Sequence, residues 1–179
     1  MAGNLLARSA HDLGAAAWFG GTLMGAVGLN GATGKAKDPK ERTRLSALGW
    51  AKWTPVQIAA FAVHAVGGIG LILGNKGRVA AQDSVGSNTV WKSLVTLAGM
   101  ALSLYSGVLG KKVGELSGQG GEGATEPHPG ASDELAKAQS QLKIVQWLLP
   151  LISGIVVVMG AKQGEMQRPE NVKKGLLRK

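Results

Sequence analysis

The feature that most constrains this chain is a set of four long stretches that contain no Asp, Glu, Lys or Arg. The stretches contain 22, 23, 18 and 18 residues, and they cover residues 13–34, 53–75, 93–110 and 144–161. A helix needs about 20 mostly apolar residues to cross the hydrocarbon core of a bilayer. The pattern therefore predicts an all-α, four-transmembrane-helix bundle that forms one integral membrane domain over residues 1–179. A buried helical core in a water-soluble protein is the alternative, and the low mean hydropathy of +0.09 favours it.

We expect the four spans at about residues 12–31, 54–74, 90–110 and 144–161. A short interfacial helix, Arg42 to Lys52, is expected before the second span, and Pro55 then lies at the start of that span, where its missing amide donor costs little. The last helix is expected to begin near Asp133, because Ser132 is a favourable N-cap and acidic residues stabilise a helix N-terminus. Pro150 should kink this helix.

Residues 114–131 are predicted to form a flexible loop between the third and fourth spans. The segment is rich in glycine and acidic residues and contains two prolines. Leu116 is its only large apolar residue, so the segment has almost nothing to bury.

The basic charge of the chain lies outside the four uncharged stretches. A formal net charge of +9 placed in this way favours attraction to the anionic head groups of a lipid bilayer, and no nucleic acid partner is expected.

An even number of spans puts both termini on one side of the membrane, but ten Lys and Arg residues fall on each side. We expect cytoplasmic termini in the plasma membrane, because the opposite side also carries the acidic loop. The absence of cysteine excludes disulfides and thiolate metal sites.

Glycine recurs on one face of the first span. Gly14, Gly21 and Gly28 are seven residues apart, and Gly21 and Gly25 form a small-x-x-x-small pair. Because lipid provides no hydrophobic force between helices, close backbone approach at small residues drives their association. We interpret this face as a packing surface, with oligomerisation or a ligand against bare backbone as alternatives. The same theme recurs in spans two and three at Gly67, Gly70, Gly74, Gly99, Gly107 and Gly110.

Two histidines are candidate functional residues. His11 lies at the mouth of the first span, and His64 lies inside the second, where a polar residue is costly. Histidine in a membrane bundle can ligate haem or a metal or relay protons, and a hydrogen bond to a neighbouring carbonyl or hydroxyl is the alternative. In antiparallel spans, the end of the second span at Gly74 should lie near His11. Ten residues separate His64 from Gly74, so His64 should lie about 15 Å deeper than His11. This difference in depth argues against a shared ligand.

Five tryptophans fall into two groups. Trp50, Trp53, Trp91 and Trp147 lie near predicted span ends, as interfacial tryptophans do. Trp18 lies about 9 Å inside the first span, deeper than an interfacial position. We expect Trp18 to point into the bundle near a polar group on another span, because its indole N–H needs a partner there. His11, Trp18 and Gly21 would then form one inward stripe.

Few features indicate catalysis. No Asp, Glu, Lys or Arg is expected in the interior of a span, whereas an ion-coupled transporter usually buries at least one such group. The sequence shows no Ser-His-Asp order and no paired carboxylates in the predicted spans. An enzymatic function is therefore not expected.

Two segments resemble known membrane protein families. His11, Trp18 and Gly20 form an H-x6-W-x-G pattern that resembles the first helix of bacterial copper-resistance-D-like membrane proteins. More loosely, it is similar to membrane-bound protoporphyrinogen oxidases, in which the first-helix histidine is linked to haem. The resemblance implies a candidate site at these three residues, with haem b or copper as the cofactor, although no charged partner is expected in a later span. The segment "ELAKAQSQLKIVQWLLP" with the later "QGEMQRP" resembles an uncharacterised family of small actinobacterial membrane proteins.

These observations favour a small, non-enzymatic accessory or structural membrane protein that acts alone, as a homo-oligomer or within a larger membrane complex. A haem- or copper-binding membrane protein is the first alternative, with His11, His64 or both as ligands. A small transporter or channel is the second. The residues predicted to line a ligand site or a packing stripe are His11, Trp18, Gly20, Gly21 and His64.

Overall fold

The computed structural model describes residues 4–168 and 170–172, and this part of the chain is helical apart from its turns and one isolated β-bridge. The helices are α1 (Leu5–Met24), α2 (Asn30–Thr33), α3 (Pro39–Gly74), α4 (Lys76–Ala81), α5 (Asp83–Glu115) and α6 (Asp133–Glu165), with a π-helical turn, Gly25–Leu29, between α1 and α2. The four long helices form an antiparallel bundle. In it, α1 and α5 each pack against both α3 and α6. The prediction of an all-α fold is confirmed.

Three helices are long and apolar enough to cross a membrane, namely α3, α5 and α6. They contain the predicted spans at 54–74, 90–110 and 144–161. The first predicted span, 12–31, corresponds to α1, the π-helical turn and the start of α2. It is not among the three helices that are long and apolar enough to cross a membrane.

The bundle is apolar outside and partly polar inside. Large apolar side chains are exposed around its circumference, among them Leu13, Val66, Ile69, Leu97, Val108, Ile144, Leu151 and Val158. Buried polar side chains include Thr22, Ser46, His64, Asn88, Lys92, Ser103, Gln139 and Ser153. This distribution is the reverse of the one that water imposes on a globular protein.

The prediction of a separate interfacial helix before the second span is wrong. One continuous helix, α3, begins at Pro39 with Asp38 as its N-cap, and the Asp38 carboxylate accepts a hydrogen bond of 2.9 Å from the Lys40 amide. The helix continues through Pro55. Proline removes one amide donor, but α3 packs against α1 on the N-terminal side of Pro55 through Trp53 and on its C-terminal side through Ala60. These contacts hold the helix together across the proline.

The structure also shows where α5 and α6 begin. Residues 75–89, which separate the second and third predicted spans, are mostly helical, because α4 and the first turns of α5 occupy them. The Arg78 guanidinium donates a 2.9 Å hydrogen bond to the Met166 carbonyl, which ties α4 to the end of α6. By contrast, α6 begins at Asp133 as predicted, and the Ser132 hydroxyl accepts a hydrogen bond from the Leu135 amide. This helix continues through Pro150 to Glu165.

The expectation that residues 114–131 have almost nothing to bury is wrong. The loop folds back onto α3 and α6, and Gly120, Gly121, Gly123, Ala124 and Thr125 are buried. The chain turns at Gly120, whose φ of 79° is a left-handed conformation that favours glycine. The loop is ordered by small residues and by hydrogen bonds, which take the place of the large apolar side chains that it lacks.

Polar side chains of the helices hold this loop. Its backbone carbonyls accept hydrogen bonds from Arg42, Thr43 and Gln139, and the Gly121 amide donates to the Pro39 carbonyl over 3.0 Å. Beside the loop, Lys112 of α5 donates to the Glu134 carboxylate of α6, and this hydrogen bond raises the pKa of Lys112.

The prediction of tight glycine contacts is confirmed at most of its positions. Gly21 and Gly25 lie directly under the indole rings of Trp53 and Trp50, and Gly99 lies under Trp18. Three of the predicted glycines behave differently. A Cβ added at Gly28 would contact only Met24 of the same segment. A Cβ added at Gly107 or Gly110 would have no described atom within 4 Å.

Candidate functional site

The closest contact between α1 and α3 is built from two copies of the pattern His-x-x-Gly. Gly14 follows His11 by three residues, and Gly67 follows His64 by three residues. A Cβ at Gly14 would lie 2.6 Å from the Ala60 carbonyl oxygen, and a Cβ at Gly67 would lie 2.6 Å from the Ala7 carbonyl oxygen. Each glycine therefore lets the backbone of the opposite helix approach, and the approach brings the two histidines together.

The imidazole rings of His11 and His64 stack with their centroids 3.9 Å apart and their planes inclined by 20°. The His11 Nδ1 lies 3.0 Å from the His64 carbonyl oxygen, and the His64 Nδ1 lies 2.8 Å from the His11 carbonyl oxygen. Because a carbonyl only accepts, Nδ1 carries the hydrogen in both rings. The Nε2 atoms of the neutral rings are then free to accept.

The prediction that His64 lies far deeper than His11 is wrong. It assumed that Gly74 lies opposite His11. In the structure Gly74 lies against Asn4, and α1 begins at Leu5, seven residues earlier than the predicted span. The antiparallel register therefore places His11 beside His64. The predicted partner of such a histidine, a neighbouring carbonyl, is present for both rings.

Lys92 joins this pair from α5. Its Nζ lies 2.7 Å from the His11 Nε2, and the side chain is only 6% exposed. Sequence reasoning expected no charged residue in the interior of a span and counted Lys92 with the basic residues that flank the third span. It therefore missed that Lys92 is buried against His11. Its apolar neighbours Val90 and Leu94 on the exposed face of α5 were the available signal that the helix continues past it.

A cavity of about 290 Å³ lies beside the three residues, between α3 and α5. Arg8 and Asp12 of α1, Arg78 of α4 and Gln163 of α6 also line it. Sequence reasoning did not select these four residues, because they come from helices whose relative positions the sequence does not show. The arrangement suits binding of a small polar group, since it offers several hydrogen-bond donors beside the Asp12 carboxylate.

The other predicted site residues are placed differently. Trp18 is fully buried and its ring contacts the edge of Phe61, with centroids 5.0 Å apart, so the inward orientation is confirmed. Its indole Nε1 has no hydrogen-bond partner among the described residues, so the expected hydrogen bond is not formed. The nearby hydroxyls of Thr22 and Ser103 donate to carbonyls of their own helices instead. Gly20 is exposed, with no atom near the position of its Cβ.

The geometry of the histidines limits what they can coordinate. A metal-bound histidine usually donates its other ring N–H to a carbonyl, as both rings do here. However, the rings lie face to face, whereas axial ligation of one haem iron needs two ring nitrogens on opposite sides of the iron. In the part of the chain that the structure describes, no group of three or more His, Cys, Asp or Glu residues could hold a metal ion. In the observed conformation the two stacked rings cannot ligate one iron from opposite sides, and the His11 Nε2 is already occupied by Lys92.

A second polar network lies at the opposite end of the bundle. The Asn30 side chain accepts hydrogen bonds of 2.9 Å from Ser46 and from Trp50, and it donates one of 2.7 Å to Gln146. A larger cavity of about 830 Å³ adjoins this network between α3 and α5. The network connects α2, α3 and α6, so it stabilises the bundle at the end where the folded loop lies.

Two of the four tryptophans expected at the membrane interface have packing roles instead. Trp50 and Trp53 are half-buried over Gly25 and Gly21, and their indole N–H groups donate to Asn30 and Gln57. Glycine leaves a groove that the rings fill. Trp91 and Trp147 are 61% and 54% exposed, as an interfacial position requires.

Comparison with known proteins adds no relative: no family model, no curated protein and no solved structure matches this chain.

Proposed function

We propose that this chain is a non-enzymatic integral membrane protein with four spans, in which α1 and the following turn form the first. It acts as a small accessory or structural component of the plasma membrane, alone, as a homo-oligomer or within a larger complex. The main support for this proposal is that the bundle is apolar outside and partly polar inside. Large apolar side chains cover its outside, and Lys92, His64 and other polar groups lie within. Lipid favours this arrangement and water opposes it.

The topology can be tested with single cysteines, since the chain has none of its own. Cysteines introduced at positions 2 and 179 should react with an impermeant maleimide from the same side of the membrane. A cysteine at Gly118, in the loop between α5 and α6, should react from the other side. Labelling of positions 2 and 179 from opposite sides, or release of the protein by alkaline carbonate, would contradict the proposal.

A haem- or copper-binding protein is the second candidate. The support for it is that both histidines donate Nδ1–H to a carbonyl, which leaves Nε2 as the coordinating atom. Binding would require the His11 ring to leave Lys92 and to rotate out of the stack. Purified protein with a Soret band or stoichiometric copper, lost in His11→Phe and His64→Phe, would favour this candidate over the first.

A further inference from the structure

The cavity beside His11 and His64 carries more positive than negative charge. Arg8, Arg78 and Lys92 line it, and Asp12 is the one carboxylate among the described residues of its lining. Neither Arg8 nor Lys92 forms an ion pair with another described residue. A net positive, partly desolvated cavity attracts an anion.

Lys92 shows the need for an anion most clearly. Its ammonium group has three donors, and within the described residues only one is used, by the neutral His11 Nε2. Burying an ammonium is costly unless it is paired and hydrogen-bonded. Gly160 lets the Lys92 Nζ lie close to α6, since a Cβ there would be 3.0 Å from this atom. Lys92 also lines the cavity. The donors that remain can therefore reach a group inside the cavity.

One side of the cavity is apolar and continues to the outside of the bundle. Ile69 and Ile72 of α3 and Leu97 of α5 line it, and all three are exposed on the lipid-facing surface. A ligand that fits this lining has an anionic head and an apolar chain. The seam between α3 and α5 gives such a ligand lateral access from the bilayer.

The depth of the cavity also suits a lipid head group. Lys92 lies two residues inside the span predicted to begin at residue 90, about 3 Å along the helix axis. Arg8 precedes the first predicted span, at 12–31, by four residues. Long basic side chains at this level reach lipid phosphates.

We propose that this cavity binds the phosphate of an anionic phospholipid, with Lys92 and Arg8 as its ligands and one acyl chain along the α3–α5 seam. The positive charge of the cavity attracts the phosphate and repels the quaternary ammonium of a zwitterionic lipid. This inference rests on the proposed location of the chain in the membrane.

The test uses the full chain in mild detergent, titrated with dioleoyl-phosphatidylglycerol or dioleoyl-phosphatidylcholine and observed by native mass spectrometry. We expect one phosphatidylglycerol to bind at least about tenfold more tightly than phosphatidylcholine, as the loss or gain of one charge-assisted hydrogen bond would produce. Lys92→Met and Arg8→Gln should each remove this preference. Lys52→Met is the matched control, because Lys52 is exposed and does not line the cavity.

Equal affinity for the two lipids would overturn the inference, and so would a preference that survives in both Lys92→Met and Arg8→Gln. Arg8→Gln decides the question if Lys92→Met does not fold, since Arg8 is only half-buried. Inorganic phosphate forms a third arm, and displacement of the lipid by millimolar phosphate would show a free-anion site instead of a lipid site. A protein that resists carbonate extraction but shows no lipid preference contradicts only this inference, whereas one that is extracted contradicts the proposed function.

Discussion

His11 and His64 are joined by two reciprocal hydrogen bonds, in which each imidazole donates Nδ1–H to the backbone carbonyl of the other residue. The bonds cross between α1 and α3 at the point where Gly14 and Gly67 bring the helices closest together. A shift of either helix by one residue would break both bonds. The pair therefore sets the register of α1 on α3, and it holds His11 where Lys92 reaches it.

Replacing either histidine by phenylalanine tests this pair. His64→Phe should lower the free energy of unfolding by about 1 kcal/mol, the usual net value of one hydrogen bond. His11→Phe should cost more, because it also leaves the buried Lys92 ammonium without its acceptor. Thermal unfolding in detergent measures both. A double variant should show a coupling energy of about 0.5–3 kcal/mol, and strictly additive effects would argue against a coupled pair.

Gly21→Leu should disrupt the packing of α1 on α3. A side chain at Gly21 would occupy the space of the Trp53 ring, and overpacking of this kind costs about 1–3 kcal/mol. Gly20→Leu is the matched control, since Gly20 is next in the chain and faces open space. The measurement is the melting temperature in detergent. Equal melting temperatures for the two variants would show that the groove at Gly21 does not matter.

The folded loop should resist proteolysis, contrary to what its composition predicts. Glu122 is its site for a Glu-specific protease, since the Glu126–Pro127 bond resists such cleavage, and the loop around Glu122 is hydrogen-bonded to α3 and α6. Gly121→Ala should expose this site, because its Cβ would lie 2.6 Å from the Gly123 carbonyl oxygen. Gly118→Ala, which faces open space, should leave cleavage slow. Rapid cleavage of the unaltered protein would mean that the loop is mobile after all.

Asn30→Ala should destabilise the end of the bundle opposite the histidines. The substitution removes three hydrogen bonds, to Ser46, Trp50 and Gln146, each worth about 0.6 kcal/mol if typical of membrane proteins. We therefore expect a loss of about 2 kcal/mol in reversible unfolding in detergent. Asn75→Ala is the control, since the Asn75 side chain bonds only to the Leu71 carbonyl of its own helix segment. A loss no larger than in the control would show that the network adds no stability.

Much of the helical architecture was predictable because its signals are local. Ser132 is an N-cap next to its helix, and long uncharged stretches identify the cores of α3, α5 and α6. The extent of the helices was less predictable. Pro55 and the polar residues before Val90 suggested boundaries, but tertiary packing outweighed the cost of continuing the helix through them.

For this protein, the sequence alone determined that the chain is helical, that its glycines admit close neighbours, and that His11, His64 and Trp18 lie on buried faces. Each of these follows from composition and helical period within one segment. Only the tertiary structure decided that the two histidines meet, that Lys92 joins them and that residues 120–125 fold into the bundle. These contacts depend on how far one helix is shifted along another. That shift is set by backbone approach at Gly14 and Gly67 and by hydrogen bonds between distant segments, which no local pattern encodes.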